Sequence, residues 1–120
     1  MEAVSKAKFQ RYGRRKVGQI ADQIRGKSVH VAEQLVEMAP RRASEMVRKA
    51  IHAAAANLSV KLGKPLNPDA MWVKTIYSDS GPMKHLKRVQ PGPQGRAMPY
   101  KRKVCHLTVV VSDSKKEEGK

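Results

Sequence analysis

The chain has 120 residues, 25 of them Lys or Arg and 10 Asp or Glu, for a net charge of +15 at pH 7. That lies far beyond the magnitude of about 2–8 usual for a small soluble domain, and one-signed charge at this density repels itself unless a polyanion neutralises it. Nucleic acid fits, because each phosphate neutralised by Lys or Arg releases a condensed counterion. An anionic membrane would require a basic amphipathic helix with Trp, Phe and Leu opposite the charge, and no such face is present.

Length and a hydrophobic content of 40% allow one domain with a modest core. Aromatic residues make up only 4% of the chain. They are scattered along it, which argues against a row of base-stacking platforms on one sheet face and for recognition of backbone and shape. The lone Cys105 excludes an intrachain disulfide framework and fits a reducing compartment. The opening residues "MEAVSKAKF" contain no apolar leader, and no run long enough to span a bilayer occurs, so a cytoplasmic location is expected.

The stretch from Lys6 to Lys16, "KAKFQRYGRRK", reads as a flexible basic segment that leads into a helix at Arg14. Val17, Ile20, Ala21 and Ile24 fall on one face of that helix, and Gly26 stops it. Ser28 is placed to cap a second helix, with Val31, Ala32, Leu35 and Met38 on one side and an end near Ala39, since Pro40 forbids continuation. Pro40 suits the first turn of a third helix, whose apolar stripe comprises Ala43, Met46, Val47, Ala50, Ile51, Ala54, Leu58 and Leu62.

After the turn-rich "GKPLNPD", Met71 to Tyr77 has the β-branched and aromatic content of a strand. Strict alternation puts Trp72 and Ile76 on one face and Val73 and Tyr77 on the other. A further strand is expected in "VCHLTVVVS", where Cys105, Leu107, Val109 and Val111 share a face and His106 and Thr108 point the other way. Between these strands, "GPMKHLKRVQPGPQGRAMPYKRK" carries seven cations and no acid. It reads as a continuation of the strand pairing into one long hairpin, turning at "PGPQG" with Gly92 and Gly95 free to take positive φ. About ten residues a side would reach roughly 33 Å. The fold class is α+β: helices on one face of a small antiparallel sheet with a protruding hairpin. Residues 1–112 form the domain, 81–104 its arm, and 113–120 a charged tail expected to fray.

Catalysis finds little support. Glu2, Asp22, Glu33, Glu37, Glu45, Asp69, Asp79 and Asp113 stand singly, without the close pairing that separates two carboxylate pKa values. Cys105 and His106 are strand neighbours on opposite faces and share no reactive centre. His30, His52 and His85 match no zinc spacing, and the glycines of the arm match no phosphate-binding loop. No catalytic residue, metal ligand or cofactor is assigned. A second reading is a DNA-binding regulator that uses the helix pair Arg14–Met38 with "RGKS" as its turn. Its second helix would present His30, Glu33, Gln34 and Glu37 outward, a poor surface beside phosphates. Structural RNA is the favoured partner.

The residues also resemble a known family, the universal ribosomal large-subunit protein twenty-two in its bacterial or organellar form. The likeness rests on "RKVGQIADQIRGKSV", "AAAAN" ending at Asn57, "DSGPM", "GRA" at Gly95–Ala97 and "HLTVVVSD", in this order along nearly the whole chain. It implies three helices and a three-stranded sheet seated on large-subunit RNA, a role in assembly, and a long hairpin that lines the peptide exit tunnel. Arg15, Lys16, Arg25 and Lys27 match the family's basic positions around the first helix. Lys87, Arg88, Gly95 and Arg96 match those of the hairpin. With the other cations of the two basic stretches, Lys8, Arg11, Arg14, Lys84, Lys101, Arg102 and Lys103, they make up the expected RNA-binding set. Gln90, Pro91, Gly92, Pro93, Gln94, Gly95 and Arg96 would line the tunnel.

The implied partners are ribosomal RNA, neighbouring ribosomal proteins and the nascent polypeptide, with no membrane and no homo-oligomer. The chain departs from the family pattern in several places. Tyr12 and Gly13 stand where the family places a capping Ser. The segment "MKHLKRVQPGPQ" is longer than its counterpart. Pro91, Gly92 and Pro93 replace a Pro-Arg-Ala tip and so remove a cation. Val104 and Cys105 replace two hydroxyl residues.

Overall fold

A computed structural model describes residues 1–115. The elements in chain order are β1 (Glu2–Gln10), α1 (Arg14–Ile24), α2 (Val29–Met38), α3 (Ser44–Leu62), β2 (Trp72–Ser80), β3 (Lys87–Pro91), β4 (Ala97–Lys101) and β5 (Cys105–Ser112). The main sheet has the order β1-β5-β2 with both pairings antiparallel, and β3 and β4 form a separate two-stranded sheet. This is the expected α+β class.

β5 is the centre of the core. Cys105, Leu107, Val109 and Val111 are fully buried on its inner face as the alternation requires. They pack with Val17, Ile20 and Ile24 of α1 and with Val47, Ile51 and Leu58 of α3 in one continuous cluster. Small residues set the spacing: Ala50 and Ala54 of α3, and Ala3 and Ala7 of β1, belong to that cluster or pack on it. Across the same contact, Asn57 Nδ2 donates to the Val4 carbonyl at 3.1 Å and Lys61 Nζ donates to the Glu2 carbonyl at 2.8 Å.

Several expectations change. The first part of the basic N-terminal stretch is not a flexible lead-in but the outer strand β1. Its inner positions are Ala3, Ser5 and Ala7, too small to register as an apolar alternation. In α2 the buried side is Val29, Ala32 and Val36, whereas Val31 is 40% and Met38 80% exposed. Ala32 is buried and Leu35 packs against the core as expected, so the difference lies at the helix ends, where apolar residues flank the stripe on both sides. Ser28 does cap α2, its hydroxyl accepting from Val31 N at 3.4 Å. Pro40 stays outside α3, which starts at Ser44 after a turn in which Ser44 N donates to the Arg41 carbonyl at 3.2 Å. α3 ends at Gly63, whose φ of 69° is the left-handed conformation of a helix stop.

β2 breaks strict alternation. Its register on β5 slips between Val73 and Thr75, leaving Lys74 as an extra residue. The bulge turns both Val73 and Ile76 inward, fully buried, and leaves Trp72 and Tyr77 together on the opposite face. The α1–α2 turn is tied to the start of this strand. Gly26 N donates to the Val73 carbonyl at 3.0 Å, Val73 N to the Lys27 carbonyl at 2.9 Å, and Val29 N to the Met71 carbonyl at 2.9 Å.

The arm is a hairpin, but not a continuation of the main ladder. β3 and β4 pair from Lys87↔Lys101 to Pro91↔Ala97. Between this ribbon and the sheet lie a short 3-10 turn at Lys84–Leu86 and the unpaired Arg102–Val104, bridged by Gly81 N to the Val104 carbonyl at 2.8 Å and Arg102 N to the Leu86 carbonyl at 3.1 Å. At Gly81 an added Cβ would stand 2.7 Å from Val104 Cγ1, so the root closes only around glycine. At the tip, positive φ falls on Gln94 (58°) and Gly95 (70°), while Gly92 is extended. Overall dimensions of 63 × 29 × 24 Å reflect the projection.

Of the residues expected to fray, Asp113 accepts from the Met1 ammonium at 2.8 Å and the Lys115 ammonium lies 5.4 Å from the centre of the Trp72 ring. Residues 116–120 lie outside the described residues.

Candidate nucleic-acid interface

The two basic stretches, separated by most of the chain, meet in space. A groove of about 710 Å³ is lined by Arg11, Gly13, Lys16, Arg88, Lys101, Arg102 and Lys103, with no acid among them. One wall is the β1–α1 connection and the start of α1; the other is the root of the arm. The two walls meet at Gly13, where a Cβ would lie at ordinary contact distance, 3.9 Å, from the Cδ of Lys103. Arg102 lies 5.8 Å from the centre of the Tyr100 ring, which steadies its guanidinium without neutralising it.

The start of α1 sharpens the charge. Gly13 is its N-cap and supplies no side-chain acceptor, and the first turn has no acid. Arg14, Arg15 and Lys16 occupy that turn instead, where the helix dipole is already positive. Exposed backbone N–H groups and clustered cations make an arrangement complementary to anions.

Arg14, Arg15 and Arg25 line a second groove of about 450 Å³ with Gly18, Gln19, Ala21, Asp22, Tyr77 and Ser78. Arg25 is partly spent here. Its Nη1 donates to Asp22 Oδ1 at 2.8 Å and its Nη2 to the Ile76 carbonyl at 2.9 Å, so it also ties α1 to β2. Lys8 on β1, Lys27 in the α1–α2 turn, Lys84 in the arm root, Lys87 at the base of the ribbon, and Arg96 beside the tip are exposed and belong to neither groove. Among the described residues, none of Lys84, Lys87, Arg88, Arg96, Lys101, Arg102 and Lys103 is paired with a carboxylate. Sequence reasoning passed over Tyr77 and Gly13 as lining residues; the slip at Lys74 hid the first, and the second has no side chain to signal a role.

Cys105 is fully buried, and burial pushes its thiol above the ordinary range although a backbone hydrogen bond from Tyr12 partly opposes this. A buried thiol held protonated is inert.

A family profile described as "Ribosomal protein L22p/L17e" matches residues 5–112, a span that contains both grooves and the whole arm. The chain belongs to this family. It is similar to the "Large ribosomal subunit protein uL22" of Brachyspira hyodysenteriae, with 35% identity over 120 residues covering 100% of this chain and 87% of that protein. Membership makes it a structural constituent of the large ribosomal subunit and not an enzyme, and RNA binding is a property of the family. The helix-turn-helix reading has little left to stand on: the backbone of its supposed turn is hydrogen-bonded to the edge of β2.

Proposed function

We propose that the protein binds large-subunit ribosomal RNA through the groove where the β1–α1 connection meets the arm root, and that the arm runs onward between RNA segments. The observation that carries this reading is the acid-free convergence of Arg11, Lys16, Arg88, Lys101, Arg102 and Lys103 on one surface. Six cations spread over two distant parts of the chain can neutralise phosphates from more than one RNA segment, which is how a non-catalytic protein aids assembly.

Lys84, Lys87 and Arg96 extend the path toward the tip, and Lys8, Arg14, Arg15, Arg25 and Lys27 widen it around the body. The tip, Gln90–Arg96, would line the peptide exit tunnel and face the nascent polypeptide. Its Pro/Gly turn holds no large apolar side chain, so it fills space and grips nothing. Neighbouring ribosomal proteins complete the set of partners, in cytoplasmic ribosomes or those of an organelle.

The test is incorporation. A variant with Lys87, Arg88, Arg96 and Lys101 changed to Glu should fold but fail to co-sediment with large subunits. Normal co-sedimentation with mature particles would overturn the reading.

A further inference from the structure

The one strained aromatic of the molecule stands outside both grooves. Phe9 has φ 57°, a left-handed conformation that costs a residue with a Cβ free energy and that glycine usually supplies. The cause is a bulge: Ala7 pairs with Leu107 and Gln10 with Cys105, so Lys8 and Phe9 together oppose the single residue His106. The conformation is held by Phe9 N, which donates to His106 Nδ1 at 3.0 Å, and by a T-shaped contact between the imidazole and phenyl rings, 4.9 Å between centroids at 86°. None of this buries the ring, which remains 63% exposed. A bulge that stores strain in order to aim an apolar ring at solvent is a feature to be explained by what the ring meets.

Its surroundings indicate the partner. Lys8 adjoins it in the chain, and Arg11, two residues on, lines the basic groove. The register places Lys6, Thr108 and Tyr77 in one row across the same open face of the sheet, so a second exposed aromatic shares that face. The bulge at Lys74 turns Tyr77 to that face, across β5 from Phe9.

We propose that Phe9 is a stacking platform for an unpaired RNA base on the open face of the sheet. A flat ring that is 63% exposed, held in place by His106 and flanked by cations, offers what a splayed-out base requires, a π-surface beside phosphate-neutralising charge. A duplex offers no free base, so the platform selects single-stranded or bulged RNA. The inference rests on the RNA-binding reading above and adds a contact that cations do not make.

The test uses the full chain with three probes: a large-subunit RNA transcript, a mixed-sequence single-stranded RNA, and a fully paired RNA duplex. Phe9→Gly accepts positive φ without strain, so its thermal midpoint should be unchanged or raised. Its affinity for the transcript and the single strand should fall about 5- to 100-fold. Duplex binding and the slope of log affinity against log salt should not change, because no cation is removed. Phe9→Tyr, which keeps the ring, should bind as the parent does.

A Phe9→Gly protein that binds the single strand like the parent, or loses duplex binding equally, overturns the proposal. So does a midpoint that drops while affinity holds, because Phe9 is then a structural prop. A Lys101→Glu, Arg102→Glu variant measured alongside separates the two readings. If it loses both probes while Phe9→Gly loses neither, only the platform fails; if it binds both like the parent, RNA binding through the groove fails with it.

Discussion

The body and the arm of this molecule are held in shape by different physics. In the body, Leu107, Val109 and Ile51 are at 0% exposure inside a layer of helices on a sheet. Every residue of β3 and β4 is exposed, and the five pairs of their ladder enclose no apolar layer. An isolated two-stranded ribbon is marginal in water, so the arm owes its direction to its root and its final shape to what surrounds it. Cations without an acid nearby run the length of the arm, where no core exists, and among the described residues no acid lies in the arm. On the proposed RNA-binding reading, stability and RNA affinity rest largely on separate residues, Arg25 excepted, and substitutions should tell them apart.

The largest expected effect lies in the body. Leu107→Ala removes a fully buried side chain at the centre of β5 and should cost about 2–5 kcal/mol of unfolding free energy. Val89→Ala in β3 should change it by less than about 0.5 kcal/mol. Denaturant titration checks both, and comparable losses would mean the arm packs against something in the free protein. Gly81→Ala tests the joint between the regions. With Val104 Cγ1 standing 2.7 Å from the new Cβ, overpacking should cost about 1–3 kcal/mol. The cross-root hydrogen bond from Gly81 N should exchange faster. Ser28→Ala removes the cap of α2 and should cost about 1 kcal/mol, with no change in RNA affinity because Ser28 is buried away from both grooves.

What could be read from the sequence follows the same division. Helix α3 and strand β5 were legible because Met46, Val47, Ile51 and Leu58 of the first and Leu107, Val109 and Val111 of the second recur on one face at a regular period. β1 was not, since Ala3, Ser5 and Ala7 leave its alternation almost silent. The faces of β2 could not be assigned by counting, because the slip at Lys74 is set by pairing with β5, a partner remote in the chain. For the candidate site, the identity of the cations was legible and their meeting was not. Arg11 and Lys16 join Lys101–Lys103 because β1 and β5 pair, which brings the β1–α1 connection to the arm root. The arm was legible as a hairpin, yet its break at the root comes from Gly81 closing on Val104, which no turn signal announces.

The smallest effect is the finest test of the separation. Arg88→Gln removes one exposed charge from the arm wall of the groove and no buried contact. Its unfolding free energy should stay within about 0.5 kcal/mol of the parent. If the guanidinium neutralises a phosphate, one fewer counterion is released on binding. The slope of log affinity against log salt should then flatten by about 0.7–0.9, and the affinity difference should shrink as salt rises. A guanidinium that merely faces water predicts parallel lines, and one that reads a base edge predicts a loss that depends on sequence at every salt concentration. Applied next to Lys101 and then Arg96, the same measurement shows where along the arm phosphate contact begins and ends, while the unchanged unfolding curve of each variant shows that only the RNA has lost a partner.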